Sequence, residues 1–385
     1  MKSPLVILAL VCVVLIVCST GFAATTYVVT NDDNCDAASN TSSIYTLNTT
    51  TGALKLAKTL QTGGLGNCGG FFSGAQSSIT QDTKCLYIAD GLTSDIAAFK
   101  VPALTKVGNY TNAAVNGNYP GGSMALTPNG KFLYVSYGGT FNIGAWQRNA
   151  DCSLTFINAY VAKAGADTYS NLVVDPSGKG LIVSVTDLQA LELFLIDQTT
   201  GALTDLGFTD LTQVSGCAAN GCFPTGIDIT KGELAIVATG YNNAVITQLS
   251  PSKPYFTKVT YVDLSSVTLV NDETVWLSSA AYKTGVGPVY FGFSGDGVDP
   301  YGVMTASLSS SGITIGPSTQ ITTSPSTLIG MTESTGNWMV VSEWYNQLQT
   351  FKINGDGTLT PSPQGPVVDA NALGALSFFI SPNTR

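Results

Sequence analysis

The sequence predicts an all-β fold: a seven-bladed β-propeller of four-stranded antiparallel blades, closed by the C-terminal strand completing the first blade. Three observations predict it. The composition is β-rich and sparsely charged, one hairpin returns at intervals near fifty residues, and the C-terminal segment resembles a strand that the N-terminal copy lacks. Of 385 residues, 44% are hydrophobic and only 11% are charged, and long helical charge patterns are absent. A net charge of -9 argues against nucleic acid, whose phosphates call for clustered Lys and Arg.

The elements follow in chain order. Lys2 precedes an apolar run from Leu5 to Val17, and Gly21-Phe22-Ala23 puts small residues before Ala24. Residues 1-23 therefore read as a secretory signal peptide, and 24-385 as the propeller domain. The run is shorter than the roughly 20 residues that a bilayer-spanning helix needs, so no membrane span is expected after cleavage. Val17 before Cys18 is too large for a lipoprotein box.

Seven segments read as second strands of a repeat: "TYVVT" at 26, "CLYIA" at 85, "FLYVS" at 132, "GLIVS" at 180, "LAIVA" at 234, "VYFGF" at 289 and "WMVVS" at 338. The later six each follow an apolar strand and a turn, such as "TPNGK" or "DPSGK", whose Pro, Asn, Asp and Gly suit a tight reversal. Third strands follow with period-two alternation, as in "DIAAFKV", "NIGAWQR" and "LELFLID". Fourth strands are clearest at "TTGALKLA", "TTGALTDLG" and "GDGTLTPS". One such unit cannot bury both faces until neighbours stack on it, which is the logic of a propeller blade. Residues 25 to 60 supply second, third and fourth strands, and "ALSFFISPN" at 375 to 383 looks like the missing first strand. Closing the ring this way removes exposed sheet edges.

Six cysteines follow the leader, an even number that favours disulfides in a secreted chain and allows 15 pairings. The ring suggests three pairs. Cys35 and Cys68 share one face, Cys85 and Cys152 lie near turns of adjacent blades on the other, and Cys217 and Cys222 close "CAANGC".

The repeated P-x-G-K-x-L-Y-V hairpin, with its alternating strand and T-G-A-L, resembles the lactonase family of seven-bladed propellers. That family is also described through YVTN-type repeats and includes 6-phosphogluconolactonase-like proteins. The resemblance runs over essentially all of residues 25 to 385 and implies lactone chemistry by His, Arg and Glu near the central channel. His or His-Pro-Arg commonly precedes a first strand there. The matching stretches read "YPGGSMALTP", "TYSNLVVDP" and "CFPTGIDIT": Pro120 and Pro224 remain, but the His and Arg do not. The chain contains no histidine, and its only arginines are Arg148 and Arg385. Opening a lactone near neutral pH needs a base and an oxyanion stabiliser, and a phosphosugar adds a demand for cations.

Loops after the second strands gather at one mouth of the channel. They bring Asp32, Asp33, Asp90, Tyr137, Asp187, Tyr241, Asn242, Asn243, Asp296 and the run Glu343-Trp344-Tyr345-Asn346. Carboxylates, amides and aromatic rings together suit a sugar or a cation; ordinary polar loops have the same composition. If the site is catalytic, Asp187 and Glu343 are the candidate bases. No cofactor is expected, a divalent cation is a possible ligand, and the calcium-loop, sialidase and haem or copper patterns are missing. The leading expectation is a secreted, periplasmic or extracellular monomer that binds a small neutral or cationic ligand, a sugar or lactone, or an extracellular protein. The alternatives are a lactone or ester hydrolase using Asp or Glu, and a structural cell-envelope or matrix protein.

Overall fold

A computed structural model describes residues 25–36, 38–68, 77–80, 82–115, 123–137, 142–162, 171–230, 232–239, 243–250, 255–265, 273–279, 287–294, 301–309, 312–321, 329–332, 336–343, 346–372 and 377–381. The expected leader at 1-23 lies outside them. Seven antiparallel sheets form the molecule. Blade one joins the chain ends, with Ser377–Ser381 innermost, then Thr26–Asn31, Thr41–Leu47 and Leu54–Gln61. Its inner pairing sets Val28 opposite Ile380 and Val29 opposite Phe379. The C-terminal strand thus completes the first blade, as the sequence predicts.

Blades two to six repeat the order inner to outer, beginning with Ser77–Ile79, Met124–Leu126, Leu172–Val174, Pro224–Ile229 and Glu273–Ser279. Blade seven differs at its rim. Gln347–Ile353 pairs with two short pieces, Leu359–Pro361 and Val367–Val368, in place of one outer strand. Inner strands contact their neighbours in sequence all round the ring, and the last, Ile329–Thr332, meets Ser377–Ser381.

The core lies between blades rather than within one. Leu86, Ile88 and Phe99 of blade two pack with Ile44 and Tyr45 of blade one, and Val340 and Leu348 join them across the closure. Each stacked sheet removes its neighbour's apolar face from water, worth about 25 cal/mol per Å² buried.

A recurrent bond fastens successive blades. Tyr87 on the second strand of blade two donates its hydroxyl to the Cys152 carbonyl, in the outer turn of blade three, at 3.2 Å. Tyr134 of blade three does the same to Gly201 of blade four at 3.0 Å, and Tyr290 of blade six to Gly357 of blade seven at 3.0 Å. Across the closure the donor is Trp338 Nε1, bonded to the Thr49 carbonyl at 2.9 Å. The Tyr of the repeated hairpin is therefore an inter-blade tie.

Cys35 pairs with Cys68, Cys85 with Cys152 and Cys217 with Cys222. The first lies on the mouth face and the second on the opposite face, between blades two and three. Among the described residues no helix is long and apolar enough to cross a membrane.

Candidate functional site

The mouth face carries the turns that follow second strands and the links between blades. At its blade-one corner, Asn31-Asp32-Asp33-Asn34 follows directly from an apolar strand, so the change to polar residues marks the end of hydrophobic stacking. Asp32 is only 1% exposed. Its carboxylate accepts from Thr30 Oγ1 at 2.5 Å and Thr41 Oγ1 at 2.6 Å. Burial, then the charge of Asp369, pushes its carboxyl up to about 6. Asp369 in turn accepts the Tyr45 hydroxyl at 2.9 Å, and burial raises that phenol.

Amides carry the network on to blade two. Asn34 Nδ2 donates to Thr41 Oγ1 at 3.0 Å, and Asn40 Oδ1 accepts the Asn34 backbone N–H at 2.8 Å. Asn40 Nδ2 reaches both Asn31 Oδ1 and Asp90 Oδ1 at 2.8 Å. The buried Asn40 is thus a bridge between the two corners.

Asp90 is fully buried, and the hairpin register sets it opposite Asp95. Burial, then the Asp95 charge, pushes the Asp90 carboxyl up to about 7. Asp90 Oδ2 receives no hydrogen bond from the described residues. Thr93 and Asn109 hold Asp95 from its other sides. Gly64 roofs the pair: a Cβ there would stand 2.5 Å from Asp90 Oδ2 and 2.6 Å from Asp95 Oδ1.

Tyr137 is 2% exposed, and burial raises its phenol. Its ring and Trp146 Nε1 flank Gly144, where a Cβ would lie 2.8 and 3.0 Å from them. Asp187 sits apart, exposed, in the turn between Gly180–Val185 and Ala190–Ile196. Asn243 is buried and donates to the Gly221 carbonyl at 3.0 Å. Glu343 ends the strand Trp338–Glu343. Tyr241, Asn242, Asp296, Trp344 and Tyr345 lie outside the described residues, as does the side chain of Glu343.

The structure therefore brings Asp32 and Asp90 into one buried network and leaves Asp187 separate. The sequence reading misses Asp95, Asn31, Asn40 and Asp369. Asp95 carried a signal, because a short turn in "ADGLTSDI" puts it directly across from Asp90. Asp369 carried none, since it meets Asp32 only when the ring closes.

Chemically, Asp90 is a proton donor or acceptor near neutral pH, and it faces Asp95 across the hairpin. Among the described residues, three metal-ligand atoms gather only at Cys35, Asp36 and Cys68, where both sulfurs are in a disulfide. On the opposite face, Arg148 Nη1 lies 3.3 Å from Asp82 Oδ2, at the far end of its strand from the mouth.

Seven closed blades with a mouth-face polar network define the class of protein, a propeller. The sequence matches the family model "Lactonase, 7-bladed beta-propeller" over residues 37–166 and 117–220. That match spans residues 37–220, and over the whole ring the chain shares the seven-bladed propeller fold. A search of curated proteins finds no match. Among solved structures, a protein from Lactobacillus plantarum superposes with a TM-score of 0.68 at 14% identity, over 92% of this chain and 99% of that one. The periplasmic gluconolactonase of Pseudomonas aeruginosa gives 0.67 at 12%, over 92% and 99%. A functionally unknown protein from Desulfotomaculum acetoxidans gives 0.62 at 16%, over 91% and 98%. At such identities the likeness is one of fold.

Proposed function

We propose that this is a secreted lactonase-like propeller that works as a binding module for a small neutral or cationic ligand such as a sugar or lactone. One observation carries the reading: the chain has no histidine, and its described arginine, Arg148, is held by Asp82 on the face away from the mouth. A hydrolase must activate water and stabilise an oxyanion, and those cationic or imidazole groups ordinarily do so. The leader-like N-terminus and three disulfides support an oxidising destination.

A second reading, hydrolysis through a carboxylate base, draws on Asp90, whose carboxyl is pushed up to about 7. Calorimetric titration with neutral sugar lactones separates the two. A binding module gives heat that saturates and returns to baseline. Sustained heat proportional to protein, lost in Asp90→Asn, Asp187→Asn or Glu343→Gln, would establish the hydrolase instead.

A further inference from the structure

Away from the mouth, a cleft of about 370 Å³ opens between blades four and five. Its walls are apolar, with Leu193, Leu195 and Leu249 among them, and Leu195 is 46% exposed. Its size falls in the usual range for small-molecule sites.

Among the described residues, sister blades two, three and seven carry a side chain at the strand position that is Gly180 here. In blade three the second strand begins with Phe132, opposite Gln147, and its ring fills the space over Gly201 of blade four, where a Cβ would be 2.4 Å from it. In blade seven the strand begins with Trp338, opposite Lys352, and its ring covers Gly52 of blade one. In blade two that position is Cys85, tied to Cys152. In blade four it is Gly180, opposite Leu195, which has no side chain to insert. Two residues on, Ile182 stands where Tyr87 and Tyr134 donate to the next blade.

The rim adds charge. Asp175 is 7% exposed; its Oδ1 accepts from the Lys179 N–H and Ser177 Oγ, both at 2.9 Å. Its Oδ2 faces Gly180, where a Cβ would lie 2.9 Å away. Glu233, from blade five, also lines the cleft, and its carboxyl is raised by burial and then by Asp175. The Lys179 charge on the same rim partly offsets this.

We propose that this cleft binds a small aromatic amine, its ring lying in the apolar space beside Gly180 and its ammonium group meeting Asp175 and Glu233. An aromatic ring suits apolar walls, and a cation relieves two carboxylates facing one apolar space.

The test is calorimetric titration of the intact protein with phenethylamine at pH 7.5, alongside neutral 2-phenylethanol and anionic 3-phenylpropionate. The amine is expected to bind saturably with a Kd of roughly 1 mM or tighter. The alcohol is expected to bind at least ten-fold more weakly, and the acid not at all. Glu233→Gln should weaken the amine at least ten-fold with an unchanged circular dichroism spectrum. Gly180→Phe should abolish binding by supplying a ring in cis. Absence of saturable amine binding, equal binding of the alcohol, or an unchanged Kd in Glu233→Gln would overturn the proposal, and the last two readings stand even if Gly180→Phe fails to fold.

Discussion

Asp90 is fully buried, and burial raises its carboxyl well above the ordinary value. Folding keeps its carboxyl protonated up to about pH 7, whereas an unfolded Asp titrates near about 4. The folded state therefore holds the extra proton between those values. Stability from Asp90 is complete below about pH 4 and is lost as pH rises through about 7, and Asp32 acts likewise up to about 6. Asp151, Asp197 and Asp356 act in the opposite sense: turn hydrogen bonds, led by Ser153, Thr200 and Thr358, lower them, so their contribution fades as pH falls below about 4. Thermal unfolding should accordingly show a maximum Tm at about pH 4. Asp90→Asn keeps an oxygen for Asn40 and removes the charge facing Asp95. It should gain on the order of 1–3 kcal/mol at pH 8 and change little at about pH 4. A destabilised variant at pH 8 would contradict this account of the pair. Much of this network was hidden in the sequence, because "DD" and "SD" look like turn residues whether buried or exposed.

The strands and turns were legible because period-two alternation and Pro, Asn, Asp and Gly act locally. The ties between blades were not, since Tyr134 and Gly201 are 67 residues apart. Six blades also share a bulge between third and fourth strands, as at Ala145/Trp146 and Leu193/Phe194. Such an extra residue strengthens local twist, and alternation alone does not reveal it. Two substitutions test the ties. Gly52 has φ 74°, and a Cβ there would be 2.1 Å from the Trp338 ring. Gly52→Ala should therefore cost roughly 2–4 kcal/mol in denaturant unfolding, through both backbone strain and displacement of Trp338 from the closure. Tyr134→Phe removes one bond and leaves the ring, so about 1 kcal/mol is expected. Equal effects would show that the glycine position is not special.

At the scale of the molecule, the seven-blade count and the closure through Ser377–Ser381 follow from repeat order, and the three disulfide pairs match those that the ring suggests. The blade-seven rim and the cleft at Gly180 do not, because each is a departure from the repeat. Closure also ranks the disulfides. Cys85–Cys152 spans 67 residues and Cys217–Cys222 spans 5, so the chain-entropy model gives the former about 2 kcal/mol more stabilisation. Unfolding of Cys85→Ser/Cys152→Ser against Cys217→Ser/Cys222→Ser reads that difference, and the reverse order would refute the entropic ranking.

What the ring holds at its mouth decides what the protein does. The sequence resembles the lactonase propeller model over residues 37–220, yet it contains no histidine, and its arginines are Arg148 and Arg385. The most direct test is the initial rate of acid release from a panel of sugar and aliphatic lactones in a pH-stat at about pH 7, at several protein concentrations. The proposed binding role predicts rates equal to spontaneous hydrolysis at every concentration. A rate that rises in proportion to protein and falls to background in Asp90→Asn, Asp187→Asn or Glu343→Gln would contradict it.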